Sequence, residues 1–396
     1  MQELGIYVHF PFCVRKCQYC DFLSGPASLR TMEAYTKGVV EEIKMTAEKY
    51  GSLGVTSIFL GGGTPSIVPS KCTKEVLEAL DQYFQVAEDA EITIECNPGT
   101  VTAEKLADYR KAGINRISFG LQSANEEELK LLGRIHSFDT FLDSYQMARE
   151  AGFTNINIDL MSALPGQTME NWQNTVIQVT QLQPEHISAY SLIVEPGTPF
   201  YEQYGEREDL LPDEETDREM YAWTKTFLEQ QGYHRYEVSN YARDGYESRH
   251  NNYYWTGVDY IGFGVGAASC FKGVRSENVR EVQYYIQTLE LTGTTLEDLK
   301  TNVQKLSMRA QQEEFAFLGL RRMEGISENV FAQRFGVSFA SVYGQVTEKL
   351  VYAGLLYQYE KPGQGVWYAL TDRGIDISNT VLAEFLQDEN GMEETK

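Results

Sequence analysis

Positive charge is in short supply in this 396-residue chain: 34 Lys and Arg stand against 57 Asp and Glu, a formal net charge of −23. A surface this acidic repels phosphate backbones, which excludes nucleic acid as a partner class. Long apolar runs are missing as well. No stretch of eighteen apolar residues occurs, so no transmembrane segment is expected, while transient association with a membrane surface stays open. The beginning of the sequence lacks the charged-then-apolar pattern of a secretory signal. Cysteine is scarce, six in all, yet Cys13, Cys17 and Cys20 fall within eight residues. Three thiols that close leave one unpaired in any disulfide scheme. Clustered, unpaired cysteines without an export signal point to a reducing, cytoplasmic setting in which they bind metal.

What is present is a globular composition, 42% hydrophobic, 23% charged and 12% aromatic, with apolar surface for sizeable cores in two or three domains. Between residues 5 and 231, apolar runs at 6–10, 57–60, 91–95, 116–119, 155–160 and 187–192 alternate with helix-period stretches. In the first such stretch Met32, Tyr35, Val39, Val40 and Ile43 share a face; in the second Val76, Leu77, Leu80 and Phe84 do. Gly113, Gly152 and Gly232 supply helix stops. This alternation predicts an α/β fold, a partial (β/α)6 TIM-like barrel over 1–232 with helices outside a parallel sheet. Chemistry in such folds collects at the C-terminal ends of the strands. The polar and glycine motifs fall there: the cysteine loop, Gly61-Gly62-Gly63-Thr64-Pro65, Glu95-Cys96-Asn97-Pro98, Gly120-Leu121-Gln122-Ser123 and Asp159.

The remainder divides into an extension over 233–306, centred on Arg249-His250-Asn251-Asn252-Tyr253-Tyr254-Trp255, a small winged-helix-like domain over 307–387 and a polar tail, 388–396, expected to be disordered. A helix is predicted over 279–291 and a linker over 292–307. The glycines of 262–266 predict close backbone packing, because no strong helix follows to make a phosphate loop. In the last domain helices are predicted near 308–322, 327–334 and 339–353, strands at 355–359 and 366–370, and a final helix over 373–387. Cys72, Cys96 and Cys270 lie far apart and read as buried small residues; His136, His186 and His234 read as structural or surface groups.

Two metals compete for Cys13-x-x-x-Cys17-x-x-Cys20. Structural zinc closes with four ligands, usually two cysteine pairs; here only one pair is two apart, and His9 would have to complete the set. An iron–sulfur cubane is ordinarily held by four thiolates, and with three one iron keeps an open position for another molecule.

The cysteine spacing, with Tyr19 before the last cysteine, resembles the signature of radical S-adenosylmethionine proteins. Tyr7-Val8-His9-Phe10-Pro11-Phe12-Cys13 and Gly61-Gly62-Gly63-Thr64-Pro65-Ser66 resemble the branch that contains oxygen-independent coproporphyrinogen III oxidase, and the likeness runs over most of the chain. It implies a [4Fe-4S] cluster on Cys13, Cys17 and Cys20, with S-adenosyl-L-methionine on the open iron. The same resemblance implies cofactor contacts from Tyr7, Tyr19, Gly62, Gly63, Thr64, Glu95, Gln122, Arg134, Asp159 and Ile193. Side-chain chemistry agrees. Backbone amides at Gly62, Gly63 and Thr64 can approach an amino-acid end, Glu95 and Asp159 can accept from ribose hydroxyls, and Arg134 can pair with a carboxylate. Gln122 can meet donors or acceptors, and the two tyrosines can pack on the ligand.

Two positions narrow the resemblance. The oxidase carries a further cysteine two residues after the third; here Phe22 stands there. The segment His250-Asn251-x-x-Tyr254-Trp255 resembles the H-N-x-x-Y-W motif of HemW-type heme chaperones. That resemblance implies a protein that binds heme, with His250 as a heme contact, and transfers it to acceptor proteins such as respiratory ones; no catalytic residue is assigned. Neutral imidazole suits heme iron, and Tyr253, Tyr254 and Trp255 could cover a porphyrin face. Oxidative decarboxylation of coproporphyrinogen III is the alternative.

Overall fold

The computed structural model describes residues 3–386; the expected tail at 388–396 and the end of the last predicted helix lie outside them. Chain contacts divide the protein into two compact units. The first holds the chain up to His234 with Tyr241–His250 and Asp259–Gln304; the second holds Arg235–Asn240, Asn251–Val258 and the chain from Lys305 on.

In the first unit strands β1 (Gly5–Phe10), β2 (Gly54–Gly62), β3 (Gln85–Cys96), β4 (Arg116–Gln122), β5 (Ile156–Ser162) and β6 (His186–Ser191) follow one another in a parallel sheet. Helices α1 (Leu29–Tyr50), α2 (Ser70–Tyr83), α3 (Ala103–Lys111), α4 (Glu126–Leu131), α5 (Phe138–Glu150), α6 (Met169–Gln181), α7 (Pro199–Tyr204) and α8 (Glu214–Gln230) follow the strands. Helix starts are written locally: the side chains of Ser28, Thr102, Ser137, Thr168 and Asp213 each cap a first turn. On α1 the buried stripe Met32, Tyr35, Val39 and Ile43 is the one its periodicity predicts.

Strand alternation sorts the side chains. Ile6, Val8, Ile58, Leu60, Ile94, Ile117, Phe119, Ile156, Ile158 and Ile187 join the apolar core packed against the helices. The alternate positions are mostly polar, and their side chains meet one another: Ser118 and Asn157 both bond Asp159, and His186 bonds Asn157. An interior lined this way is built to receive polar groups rather than to be filled by packing.

After β6 the chain adds β7 (His234–Arg235), β8 (Asn240–Ala242), helix α9 (Arg249–Thr256), β9 (Tyr260–Phe263), β10 (Ala268–Phe271), β11 (Val274–Asn278), α10 (Val282–Glu290) and β12 (Lys300–Lys305). Among the described residues one sheet then runs β12-β11-β10-β9-β1-β2-β3-β4-β5-β6-β8-β7. The predicted helix at 279–291 is α10, but the predicted linker ends in strand β12, whose side chains are mostly exposed and carry no burial pattern to reveal it. The predicted close packing at 262–266 is found: a Cβ on Gly264 would collide with the Tyr35 hydroxyl. Glu42 of α1, fully buried, accepts from Gly264 N (2.9 Å), Asn278 Nδ2 (2.8 Å) and Tyr285 Oη (2.6 Å), with Lys300 Nζ at 3.5 Å.

In the second unit α11 (Met308–Gly319), β13 (Ile326–Ser327), α12 (Glu328–Phe335), α13 (Phe339–Tyr352), β14 (Leu356–Lys361) and β15 (Gly365–Leu370) give the expected helices and hairpin, in a sheet ordered β13-β15-β14. The predicted last helix is instead two short ones, α14 (Asp372–Asp376) and α15 (Ser378–Ala383), broken at Ile377, whose backbone is not helical. Phe331, Phe339, Tyr343 and Phe385 form an aromatic core.

Candidate active site

The cysteine loop leaves the C-terminal end of β1 and is tied down by its backbone. Cys13 N–H donates to Gly25 O (2.9 Å), Gln18 N–H to Leu132 O (3.0 Å), and the Arg15 guanidinium to Gly133 O (2.8 Å). His9 anchors the far end of the loop. Its Nε2 meets Leu23 O at 2.9 Å, which requires a proton there, so Nδ1 is left to accept from the Tyr7 hydroxyl at 3.0 Å. Burial lowers the His9 pKa and keeps the ring neutral. With both ring nitrogens engaged, His9 does not complete a zinc site, and among the described residues no three His, Cys, Asp or Glu side chains are grouped to hold a single ion.

All three thiols are free, Cys13 buried and the others half-buried. Burial pushes the Cys20 thiol up to about 11, with the neighbouring Cys17 adding to it. Two sulfurs already have polar company: Arg134 Nη1 donates to Cys17 Sγ (3.5 Å), and Thr64 Oγ1 lies 3.5 Å from Cys13 Sγ. Cys17, Thr64, Asn97, Gly133 and Arg134 line a common recess, and Arg134 Nε is buried with no hydrogen-bond partner. Three free thiols, two of them with a polar group at their sulfurs, beside an orphan guanidinium N–H, fit a thiolate-held cluster with an anionic group beside it.

The glycine turn after β2 is as close to the loop as its sequence predicts. A Cβ on Gly63 would stand 2.6 Å from Phe12 O and 2.9 Å from Cys13 Sγ, and Gly62 has φ of 117°. Gly62 N–H donates to Glu95 Oε2 (3.0 Å). Burial raises the Glu95 carboxyl to about 8, with the charge of Asp159 adding to the shift. Burial also raises Asp159, opposed by its bonds from Asn157, Ser188 and Ser118. Because Glu95 is raised in the folded state, stability should fall as pH rises from about 4.5 to about 8 and then level off. Glu95→Gln removes that loss, so its melting temperature should gain on the wild type across that window and no further above it. Parallel curves for the two proteins would contradict the burial of this carboxyl.

Gln122 has a left-handed backbone, φ of 75°, where the β4–β5 register shifts, and its Oε1 accepts from Tyr190 Oη at 3.0 Å. Tyr19 packs on Phe200, with burial holding its hydroxyl protonated, and Ile193 is 70% exposed. Val14, Phe22 and Ile135 are also exposed, at 61%, 58% and 58%.

His250 lies elsewhere. It is 2% exposed, at the N-terminal end of the strands, with Nδ1 2.9 Å from Ser57 Oγ and its ring stacked on Phe59 at 5.1 Å. Glu91 caps the helix that carries it, accepting from Arg249 N and His250 N, each at 3.0 Å. Burial, with the charge of Arg116 adding, lowers the His250 pKa to about 3. In the second unit, Arg321 stacks over Trp255 at 4.8 Å. The loops therefore bring the cysteines together with Thr64, Glu95, Gln122 and Arg134 at the strand C-termini, and leave His250 at the other end. Asn97, which touches both Thr64 and Arg134, was signalled only as a polar residue at a strand end.

Comparison with known proteins agrees with this arrangement. Residues 7–178 match the radical SAM superfamily and residues 306–361 the HemN C-terminal domain. The heme chaperone HemW of Bacillus subtilis is 36% identical over 381 residues, 96% of this chain and 98% of that protein. Its counterpart from Escherichia coli is 39% identical over 268 residues, 67% of this chain and 70% of that one. The structure of coproporphyrinogen III oxidase (HemN) from Escherichia coli superposes with a TM-score of 0.83 at 24% identity, covering 97% of this chain and 90% of that one, which establishes the radical SAM fold. A parallel barrel with its thiols at the strand C-termini, and kinship along nearly the whole length, lead to one assignment: the chain belongs to the heme chaperone HemW family of radical SAM proteins.

Proposed function

We propose that this protein is a heme chaperone that binds one heme and hands it to acceptor proteins, respiratory ones among them, while Cys13, Cys17 and Cys20 hold a [4Fe-4S] cluster. The observation that carries this reading is Phe22, an aromatic ring 58% exposed at the end of the cysteine loop, where the oxidase has a further thiol. A phenyl ring offers a cluster no ligand, so the loop holds three thiols and not four. When bound, the cluster supplies single electrons to a ligand on its open iron. The chain's own part is to seat S-adenosyl-L-methionine. The turn at Gly62, Gly63 and Thr64, whose glycines carry no Cβ, lets the backbone approach its amino-acid end, Arg134 pairs with its carboxylate, and Glu95 and Asp159 accept from its ribose. Gln122, Tyr7, Tyr19 and Ile193 fix its remaining faces.

His250 is the proposed heme contact. Its neutral ring is in the form that iron binds, and to reach iron the first turn of α9 must leave the Glu91 cap. Two results are expected in an anaerobic heme titration followed by absorbance. His250→Ala binds heme about 10–100-fold more weakly. Glu91→Gln, which keeps the side-chain size and loosens the cap, takes up heme roughly two- to fivefold faster. Unchanged affinity in His250→Ala would remove His250 from the heme site. Several turnovers of protoporphyrinogen from coproporphyrinogen III, with reductant and S-adenosyl-L-methionine, would overturn the chaperone reading itself.

A further inference from the structure

Two of the three cluster thiols are joined by one unbroken line of hydrogen bonds, and its directions are fixed by chemistry. Arg134 can only donate: Nη1 to Cys17 Sγ at 3.5 Å, Nη2 to Asn97 Oδ1 at 2.7 Å and also to Gly120 O. Asn97 must therefore turn its carbonyl toward Arg134, which aims its amide nitrogen at Thr64 Oγ1, 2.8 Å away. Thr64 Oγ1 and Cys13 Sγ are 3.5 Å apart, and because a cluster-held thiolate carries no S–H, the Thr64 hydroxyl is the donor there. The asparagine has little freedom to do otherwise. Its N–H donates to Ser66 Oγ (3.2 Å), and its carbonyl accepts from Thr100 N (3.1 Å) and Thr100 Oγ1 (2.6 Å). Gly120 completes the fit, since a Cβ there would stand 3.0 Å from Asn97 Oδ1 and 3.2 Å from Arg134 Nη2.

We infer that Asn97 is a positioning residue that orients one hydrogen bond onto the sulfur of Cys13 and one onto that of Cys17, and so raises the reduction potential of the cluster they hold. Donors on thiolate sulfur stabilise the more negative, reduced form of a cluster, and outer groups of this kind tune metal sites. The inference rests on the reading of Cys13, Cys17 and Cys20 as cluster ligands.

The test is a redox titration of the reconstituted full chain, followed by the electron-paramagnetic signal of the reduced cluster. In Thr64→Val, which keeps the shape and removes the hydroxyl, the reduced-to-oxidised ratio at a fixed ambient potential falls about tenfold, a shift of about 59 mV for a one-electron couple. Thr64→Ser retains the hydroxyl and stays at the wild-type potential. Asn97→Leu falls at least as far as Thr64→Val, and adding Thr64→Val to it moves the potential little further, because the hydroxyl has already lost its direction. Asn97→Ala gives the same shift if the leucine variant loads poorly. Normal iron content with a wild-type potential in the Asn97 variants overturns the inference alone. A wild-type chain that takes up no iron overturns the ligand assignment and the inference with it.

Discussion

Cys17→Ala is expected to leave the chain folded and nearly free of cluster, with iron after anaerobic reconstitution falling at least about tenfold. The loop has three thiols and no spare. Cys72 and Cys96 are each 2% exposed within the apolar core, and Cys270 sits on β10. None can move in to replace a lost ligand without unpacking its surroundings. The loop itself survives, because the bonds that shape it run through backbone groups of Cys13, Gln18 and Gly25 rather than through sulfur. Removing Cys17 also strips Arg134 Nη1 of its acceptor, so the guanidinium gains freedom beside the recess. Iron counting, visible absorbance and far-ultraviolet circular dichroism together check this. Wild-type iron in Cys17→Ala, or equal loss from Cys72→Ala, would sink the assignment.

The largest effect on stability is expected far from the cluster, at Glu42. Its carboxylate is fully buried and takes hydrogen bonds from a turn, a strand and a helix, at Gly264, Asn278 and Tyr285, with the Lys300 ammonium beside it. Leucine would fill most of the space, yet it would orphan a backbone N–H, an amide and a hydroxyl and leave a buried ammonium without its counter-charge. Breaking such a set by removing one partner costs about 3–5 kcal/mol. Glu42→Gln is no remedy, because its amide would turn N–H groups toward donors. Urea titration measures the loss in Glu42→Leu, and a change below about 1 kcal/mol would mean that the network contributes far less than its geometry suggests.

The six barrel strands were legible because each pairs a short apolar run with a helix-period stretch, and the rim motifs because glycine and polar residues gather where those strands end. The strands between residues 233 and 306 were not. At two to six residues, several with exposed faces, β7 to β12 carry no period long enough to read. The burial of His250 was hidden for another reason. A histidine followed by tyrosines and tryptophan looks the same on a ligand face and in a packed floor, and only the Glu91 cap and the Phe59 stack, supplied from distant parts of the chain, distinguish them. The link through Asn97 was illegible for the same cause. Thr64 and Asn97 come from two separate strand-to-helix loops and Arg134 from the turn between α4 and α5, and the direction of an amide has no sequence signature.

The strand β1 has neighbours on both sides, β2 and β9, each paired in parallel. The loop that is to receive iron therefore springs from the middle of a sheet rather than from its margin. Its root is held by backbone pairing on both flanks, so substitutions of the loop's thiols should leave β1 in register with β2 and β9.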